Sequence, residues 1–445
     1  MLRLGGPLYS RRPSLTQLRL HGTEPPGPIA IFQPRLPSLM SRVFRPEVLV
    51  ALFTVQMASG FIVRPTPTWA LVFYAGFLPL TLWAIWQHRH GRWFRDPALL
   101  TAIAMISWFS ATVFWAVDQP TERGVKFFVG GVMNAVFVIG GVFAFAVATE
   151  DARERFYRAI GFAAPVNAII AMVHNYLLKD EPAARLTGWA ETRHEVLGAN
   201  IMAIAAMITV RNLACAPSTR WRLVWGTALL LELTFIFLTG SRGAWLACAA
   251  GIGIFLVATT WRVTAAAAVA AAAALVAALS IPAAREFVVT NLARHPYRLE
   301  IWSETISRWQ EHPFAGWGVG NDATFVIDQI TFPHSLYFSA LYYGGVIGLG
   351  LLLATYGMAI QRAVSTTAGV TRTMVLALLA VSMTAGLTDI GQPIRAPSEE
   401  WYIIWLPIIL AVGLSIPVSC LAGRTVSCSK DGAHSAASLP QPSEK

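Results

Sequence analysis

Apolar residues in this chain run in long unbroken blocks rather than alternating with polar ones. Stretches of about 17 to 25 residues with almost no charge recur from residue 47 to residue 421. A block of that length crosses the hydrocarbon core of a bilayer as a helix. Twelve windows are predicted, at roughly 47–63, 69–87, 98–117, 125–148, 159–178, 198–212, 223–239, 244–260, 263–282, 335–360, 373–389 and 402–421. The expected fold is therefore an all-α polytopic integral membrane protein with about 12 transmembrane helices.

The polar punctuation divides the chain further. Residues 1–45 hold seven arginines and several prolines but no long apolar run, so a disordered basic N-terminus is expected rather than a signal peptide. Residues 46–282 carry helices one to nine, 283–334 form the longest loop, 335–421 carry helices ten to twelve, and 422–445 form a second disordered segment. A shorter loop, KDEPAARLTGWAETRHEVL, covers about 179–197. Inside the long loop, RLEIWSETISRWQEHP places Leu299, Trp302, Ile306 and Trp309 three or four apart. This is the stripe of an amphipathic helix lying on a membrane surface, ended by Pro313. The GWGVGN that follows reads as a tight turn. Residues 264–278 are alanine-rich and suit close helix packing.

Composition agrees with a membrane protein, at 55% hydrophobic and 13% charged residues and a mean hydropathy of +0.54. The net charge of +10 raises the question of nucleic acid. Distribution answers it: with the N-terminus inside, 22 of the 34 Lys and Arg fall on the inner side as short clusters beside apolar helices. That is a topology signal, so cytoplasmic N- and C-termini are expected and nucleic acid is not a partner. Cys215, Cys248, Cys420 and Cys428 all fall in helices or on the inner side, and show no metal-ligand spacing.

The outer side carries the candidate chemistry. Arg242 sits in LTGSRGAWLA between two apolar stretches, either as an interfacial anchor or as part of an anion site. In the second case glycines admit the backbone, hydroxyls such as that of Ser241 donate, and the guanidinium binds phosphate in bidentate fashion. Arg185 has similar Thr and Gly neighbours in ARLTGW. Arg298 opens the surface helix on the side of Trp302, as a ligand group or a snorkelling cation. His334 follows Pro333 and is expected in the first turn of helix ten, where the helix dipole keeps imidazole neutral and able to act as a base. Asp389 ends helix eleven on the same side. Glu232 lies deep in helix seven and either carries a proton or bonds a neighbouring helix. Three cations and a base suit a dianion and a hydroxyl. A sugar on a lipid pyrophosphate brings its own activated leaving group and needs no cofactor. The first outer loop, RPTPT, lacks the Asp-x-Asp of metal-assisted enzymes, so arginines are expected in place of a metal.

The runs TGSRGAWLA, RLEIWSETISRWQEHPFAGWGVGN and PHSLYFSALYYGGVIGLG, in that order, resemble the O-antigen ligase and polymerase superfamily of bacterial envelope glycan transferases. The resemblance implies a bacterial inner-membrane enzyme with a periplasmic site. It would move a glycan from undecaprenyl pyrophosphate to the lipid A core, metal-independent and inverting, in lipopolysaccharide assembly. It implies His334 as the catalytic base, Arg242, Arg185 and Arg298 on the pyrophosphate, and Ser241 and Asp389 in support. A single long outer loop and a mildly acidic outer face favour the ligase branch. The alternatives are an O-antigen or exopolysaccharide polymerase, a protein O-oligosaccharyltransferase, and, in a different class, a proton-coupled transporter using Glu232.

Overall fold

The computed structural model describes residues 46–116, 121–179, 185–258, 280–293, 297–321, 332–366 and 368–417. Among these residues no strand occurs. The helices are α1 (Pro46–Ser59), α2 (Thr66–His88), α3 (Pro97–Thr112), α4 (Thr121–Val147), α5 (Glu150–Leu178), α6 (Glu195–Ala214), α7 (Thr219–Leu238), α8 (Arg242–Val257), α9 (Pro282–Ala293), α10 (Arg298–Trp309), α11 (Leu336–Thr366), α12 (Gly369–Thr388) and α13 (Trp401–Gly413).

Eight of them, α2 to α7 with α11 and α12, are long and apolar enough to cross a membrane. The expectation of about 12 full spans differs from this. Helices α1, α8 and α13 match predicted windows but are shorter. The 16 residues of α8 rise about 24 Å, less than the roughly 30 Å hydrocarbon core. The window 263–282 falls almost wholly outside the described residues, as do the segments 1–45 and 422–445.

The apolar blocks form helices because each such backbone satisfies its own hydrogen bonds in an apolar setting. Packing then selects faces. Helix α8 runs along α12, α3 along α11, and α6 lies among α5, α7, α8 and α12. An aromatic core joins α1, α2, α4 and α13, in which Phe137 and Trp401 stack with centroids 4.0 Å apart. Glu232 is fully buried between α6 and α7, where its Oε1 accepts a 2.9 Å hydrogen bond from Thr209. Of the two readings of this residue, the helix–helix bond is the one the packing displays.

Helix α11 is not the single straight helix its window predicts. It breaks at Gly345, whose φ of 64° and ψ of −165° lie outside the helical region. The break exposes backbone groups, and the segment after α10 satisfies them: Trp317 N donates to Tyr342 O (2.8 Å), Gly318 N to Tyr343 O (3.0 Å), and Val346 N to Pro313 O (2.9 Å). The GWGVGN turn, left-handed at Gly316, Gly318 and Gly320, is therefore docked into the bundle. Helix α10 seats Ile301 and Thr305 against the protein and stacks Trp302 on Phe338. The expected stripe accordingly splits, because Leu299 and Ile306 face away from the protein.

A Cβ on Gly345 would lie 2.1 Å from Phe314 O, at a φ that L residues avoid. Gly345→Ala is expected to cost about 1–3 kcal/mol. It should lower the melting temperature of the detergent-solubilised protein and loosen α10, read as faster amide exchange over 298–309. An unchanged melting temperature and exchange pattern would show that the loop does not depend on this break.

Candidate functional site

The sequence-predicted residues converge at one end of the bundle, where α6, α8, α10 and α11 begin and α7 and α12 end. The α7–α8 connection is a three-residue turn with Gly240 at φ 62°, and the buried Ser241 caps α8, its Oγ accepting from Ala244 N (3.5 Å). Arg242 is thus the first residue of α8, half-exposed, with Nη1 donating to Leu292 O in α9 (3.1 Å). The hydroxyls of the turn are turned inward rather than toward a ligand, since Thr239 Oγ1 donates to Ile236 O.

Arg185 bonds that same turn. Its Nε donates to Thr239 O and its Nη1 to Glu195 Oε2, both at 2.7 Å. One guanidinium therefore fastens the shorter loop both to the base of the Arg242 turn and to the start of α6. Arg298, at the start of α10, pairs with Asp389 at the end of α12 (Nη2 to Oδ1, 2.5 Å). Burial pushes the Asp389 carboxyl above the ordinary range, while the charge and hydrogen bond of Arg298 pull it back. Gly243 faces this pair, for a Cβ there would lie 2.2 Å from Thr388 Oγ1 and 2.9 Å from Asp389 Oδ2.

His334 differs from expectation. Helix α11 begins at Leu336, so His334 precedes the first turn and adopts a left-handed φ of 50°. Ser335 occupies the boundary, its carbonyl accepting from Ser339 N and its hydroxyl donating to Gly386 O. The expected neutral imidazole has another cause. Burial first, then the charges of Arg298 and His194, lower its pKa from 6.5 to about 4. Its ring packs against that of Phe332, with centroids 4.0 Å apart and planes tilted by 35°. His194, which fits no motif in the sequence, enters as the N-cap of α6, where its Nδ1 accepts from Val196 N (3.3 Å) and Leu197 N (3.4 Å). The only sequence signal for it is the capping position before EVLGAN.

A family model described as O-antigen ligase matches residues 225–353. Through this region the chain resembles that family. Over 131 residues it is 29% identical to the O-antigen ligase of Pseudomonas aeruginosa, a match covering 29% of this chain and 33% of that protein. The chain thus matches about a third of that relative's length. The family region contains Arg242, Arg298 and His334, whereas Arg185, His194 and Asp389 lie outside it and reach the site through tertiary contacts.

The family region and its surroundings bring three guanidinium groups and two carboxylates to one place, with a neutral imidazole beside them. Each arginine presents a planar fork of five N–H donors, of which the pairings above use one or two. Such a cluster holds an added anion by hydrogen bonds in a half-buried setting, where charge pairs are stronger than in bulk water.

Gly243→Ala is expected to force Thr388 and Asp389 apart from α8, at about 1–3 kcal/mol. The checks are the melting temperature and amide exchange at the α8–α12 contact, both of which should show loosening. Unchanged stability and exchange in the Gly243→Ala protein would contradict a close α8–Asp389 contact.

Proposed function

We propose that the protein is an O-antigen ligase of the bacterial inner membrane. It transfers a glycan from undecaprenyl pyrophosphate to a sugar of the lipid A core at the periplasmic face. The observation that carries this reading is the meeting of His334, the Arg298–Asp389 pair and the Arg242 turn at one end of the bundle, with His334, Arg298 and Arg242 inside the family region. Arg185 joins them through Thr239.

In this reading Arg242 and Arg185 hold the pyrophosphate and Arg298 assists beside it. His334 takes the proton of the acceptor hydroxyl as that oxygen bonds the anomeric carbon. The bond from that carbon to the pyrophosphate breaks in the same displacement, which inverts the centre. The leaving group departs with the bonding electron pair, and the guanidinium groups offset the growing charge in place of a metal. Arrival of a dianion beside Arg298 neutralises the charge that holds His334 down, so the imidazole becomes a better base once the donor is bound.

The ligase branch is favoured over a polymerase by the family match and by the single long loop. A proton-coupled transporter is disfavoured because Glu232 is bonded across α6 and α7 while the cationic residues gather at the bundle end.

The test is a lipopolysaccharide gel from a closely related host that polymerises O-antigen but lacks its own ligase. Expression of the protein should restore the ladder on lipid A core. His334→Ala and Arg242→Ala should abolish it, by at least about a hundredfold, while leaving membrane levels unchanged. Polymer that stays on its lipid carrier despite abundant wild-type protein would transfer the reading to a polymerase.

A second expectation concerns pH. The base must be neutral, so kcat/KM in a purified system should hold steady above the folded pKa and fall as pH drops through about 4, rather than through 6.5. The corresponding limb in kcat should lie higher, because bound donor raises the imidazole pKa. An acid limb that stays at the same pH in the residual activity of His334→Gln would remove His334 from the role of base.

A further inference from the structure

A cavity of about 360 Å³ adjoins the site, with Asp389 in its wall. Its volume lies within the roughly 300–1,000 Å³ range of small-molecule sites. Arg123 and Lys126 enter it from the first turns of α4, Arg395 and Glu400 from the segment between α12 and α13, and Phe127 and Phe332 add ring faces. Asp389 closes the end nearest Arg298, with which it is paired.

Its charge is unusual. Three cations line it against Glu400 and the already paired Asp389. Burial and the neighbouring Glu399 raise the Glu400 carboxyl to about 7, so near neutral pH a large share of it is protonated and able to donate to an oxygen. An excess of positive charge with a neutral donor and two aromatic faces fits a sugar carrying a phosphate monoester. The cations meet the phosphate, the protonated carboxyl meets a hydroxyl, and the rings meet the apolar face of the pyranose.

We propose that this cavity seats a phosphorylated sugar of the acceptor saccharide and presents the neighbouring hydroxyl to His334. The inference rests on the ligase reading for the identity of the acceptor. It assigns the cavity to the acceptor because Phe332 both lines the wall and packs against His334, the residue that must meet the acceptor hydroxyl. Arg242 and Arg185, assigned to the donor pyrophosphate, do not line it. Lys126 and Arg395 thereby set acceptor specificity without touching the reacting atoms.

The experiment uses the full chain purified in detergent and two soluble probes. These are a delipidated lipopolysaccharide core oligosaccharide bearing its phosphates, and the same oligosaccharide after chemical removal of phosphate. Lys126→Gln and Arg395→Gln replace exposed side chains, and an unchanged melting temperature confirms that they fold. In titration calorimetry, wild type should bind the phosphorylated probe about tenfold more tightly than the dephosphorylated one, and each variant should lose that preference. In transfer assays with intact lipid A core, each variant should raise the acceptor KM about tenfold while the donor KM and kcat stay near wild type; Arg395→Lys should recover part of the loss. Binding indifferent to phosphate, or a rise in the donor KM instead, would overturn the assignment. The two readings fail separately. Phosphate-dependent binding that needs Lys126 and Arg395 in a protein that transfers no glycan keeps the cavity and removes the ligase; normal transfer with an unchanged acceptor KM in both variants keeps the ligase and removes the cavity.

Discussion

The arrangement depends on the open backbone of α11 at Gly345. A helix within an apolar bundle cannot leave carbonyls and amides without partners, since each costs several kcal/mol there. At Gly345 the helical ladder is interrupted, and the partners come from Pro313, Trp317 and Gly318, the segment that follows α10. A local backbone requirement thereby becomes a long-range anchor. It holds α10 beside the start of α11 and so brings Arg298 near His334, although 36 residues separate them in sequence.

A second consequence is electrostatic. The three arginines do not stand as a bare cationic patch, because Glu195 engages Arg185 and Asp389 engages Arg298. These pairs connect different elements: the shorter loop to α6, and α10 to α12. They orient each guanidinium before a ligand arrives, which lowers the ordering cost of binding an anion. The same charges act on His334, where burial and Arg298 keep the imidazole neutral. Cation cluster and imidazole are therefore coupled, and an anion bound at one would alter the proton affinity of the other.

The basic cavity beyond Asp389 extends this logic. Phe332 and Asp389 each belong both to the cavity wall and to the surroundings of His334 and Arg298, so the cavity and the cation cluster share structural members. Its cations come from α4 and from the segment after α12, which lie outside the family region at 225–353. On the proposed reading, divergence at these positions would change the accepted saccharide while leaving His334 and Arg242 in place.

Much was legible in the chain itself because hydrophobic block length and charge placement are local quantities. The helical membrane class, helices in eleven of the twelve windows, and the tight turns at Arg242 and GWGVGN all follow from residues near one another in sequence, whereas the docking of GWGVGN onto α11 does not. Even the grouping of Arg185, Arg242, Arg298 and His334 at one end follows from where they sit in their windows. What the chain could not disclose is pairwise geometry. The start of α11 was expected at Pro333 on local propensity, but Ser335 bonds Gly386 of another helix and leaves His334 outside the first turn. The stripe on α10 showed an apolar face, yet only the docked bundle decides that Ile301 and Thr305 are covered while Leu299 and Ile306 are not. His194, the Arg298–Asp389 pair and the basic cavity each join residues far apart in sequence. Sequence alone determined which segments enter the membrane and which charges gather at its edge, since transfer free energy acts residue by residue; only the tertiary structure decided which charges meet, since ion pairing depends on distances that the packing of separate helices sets.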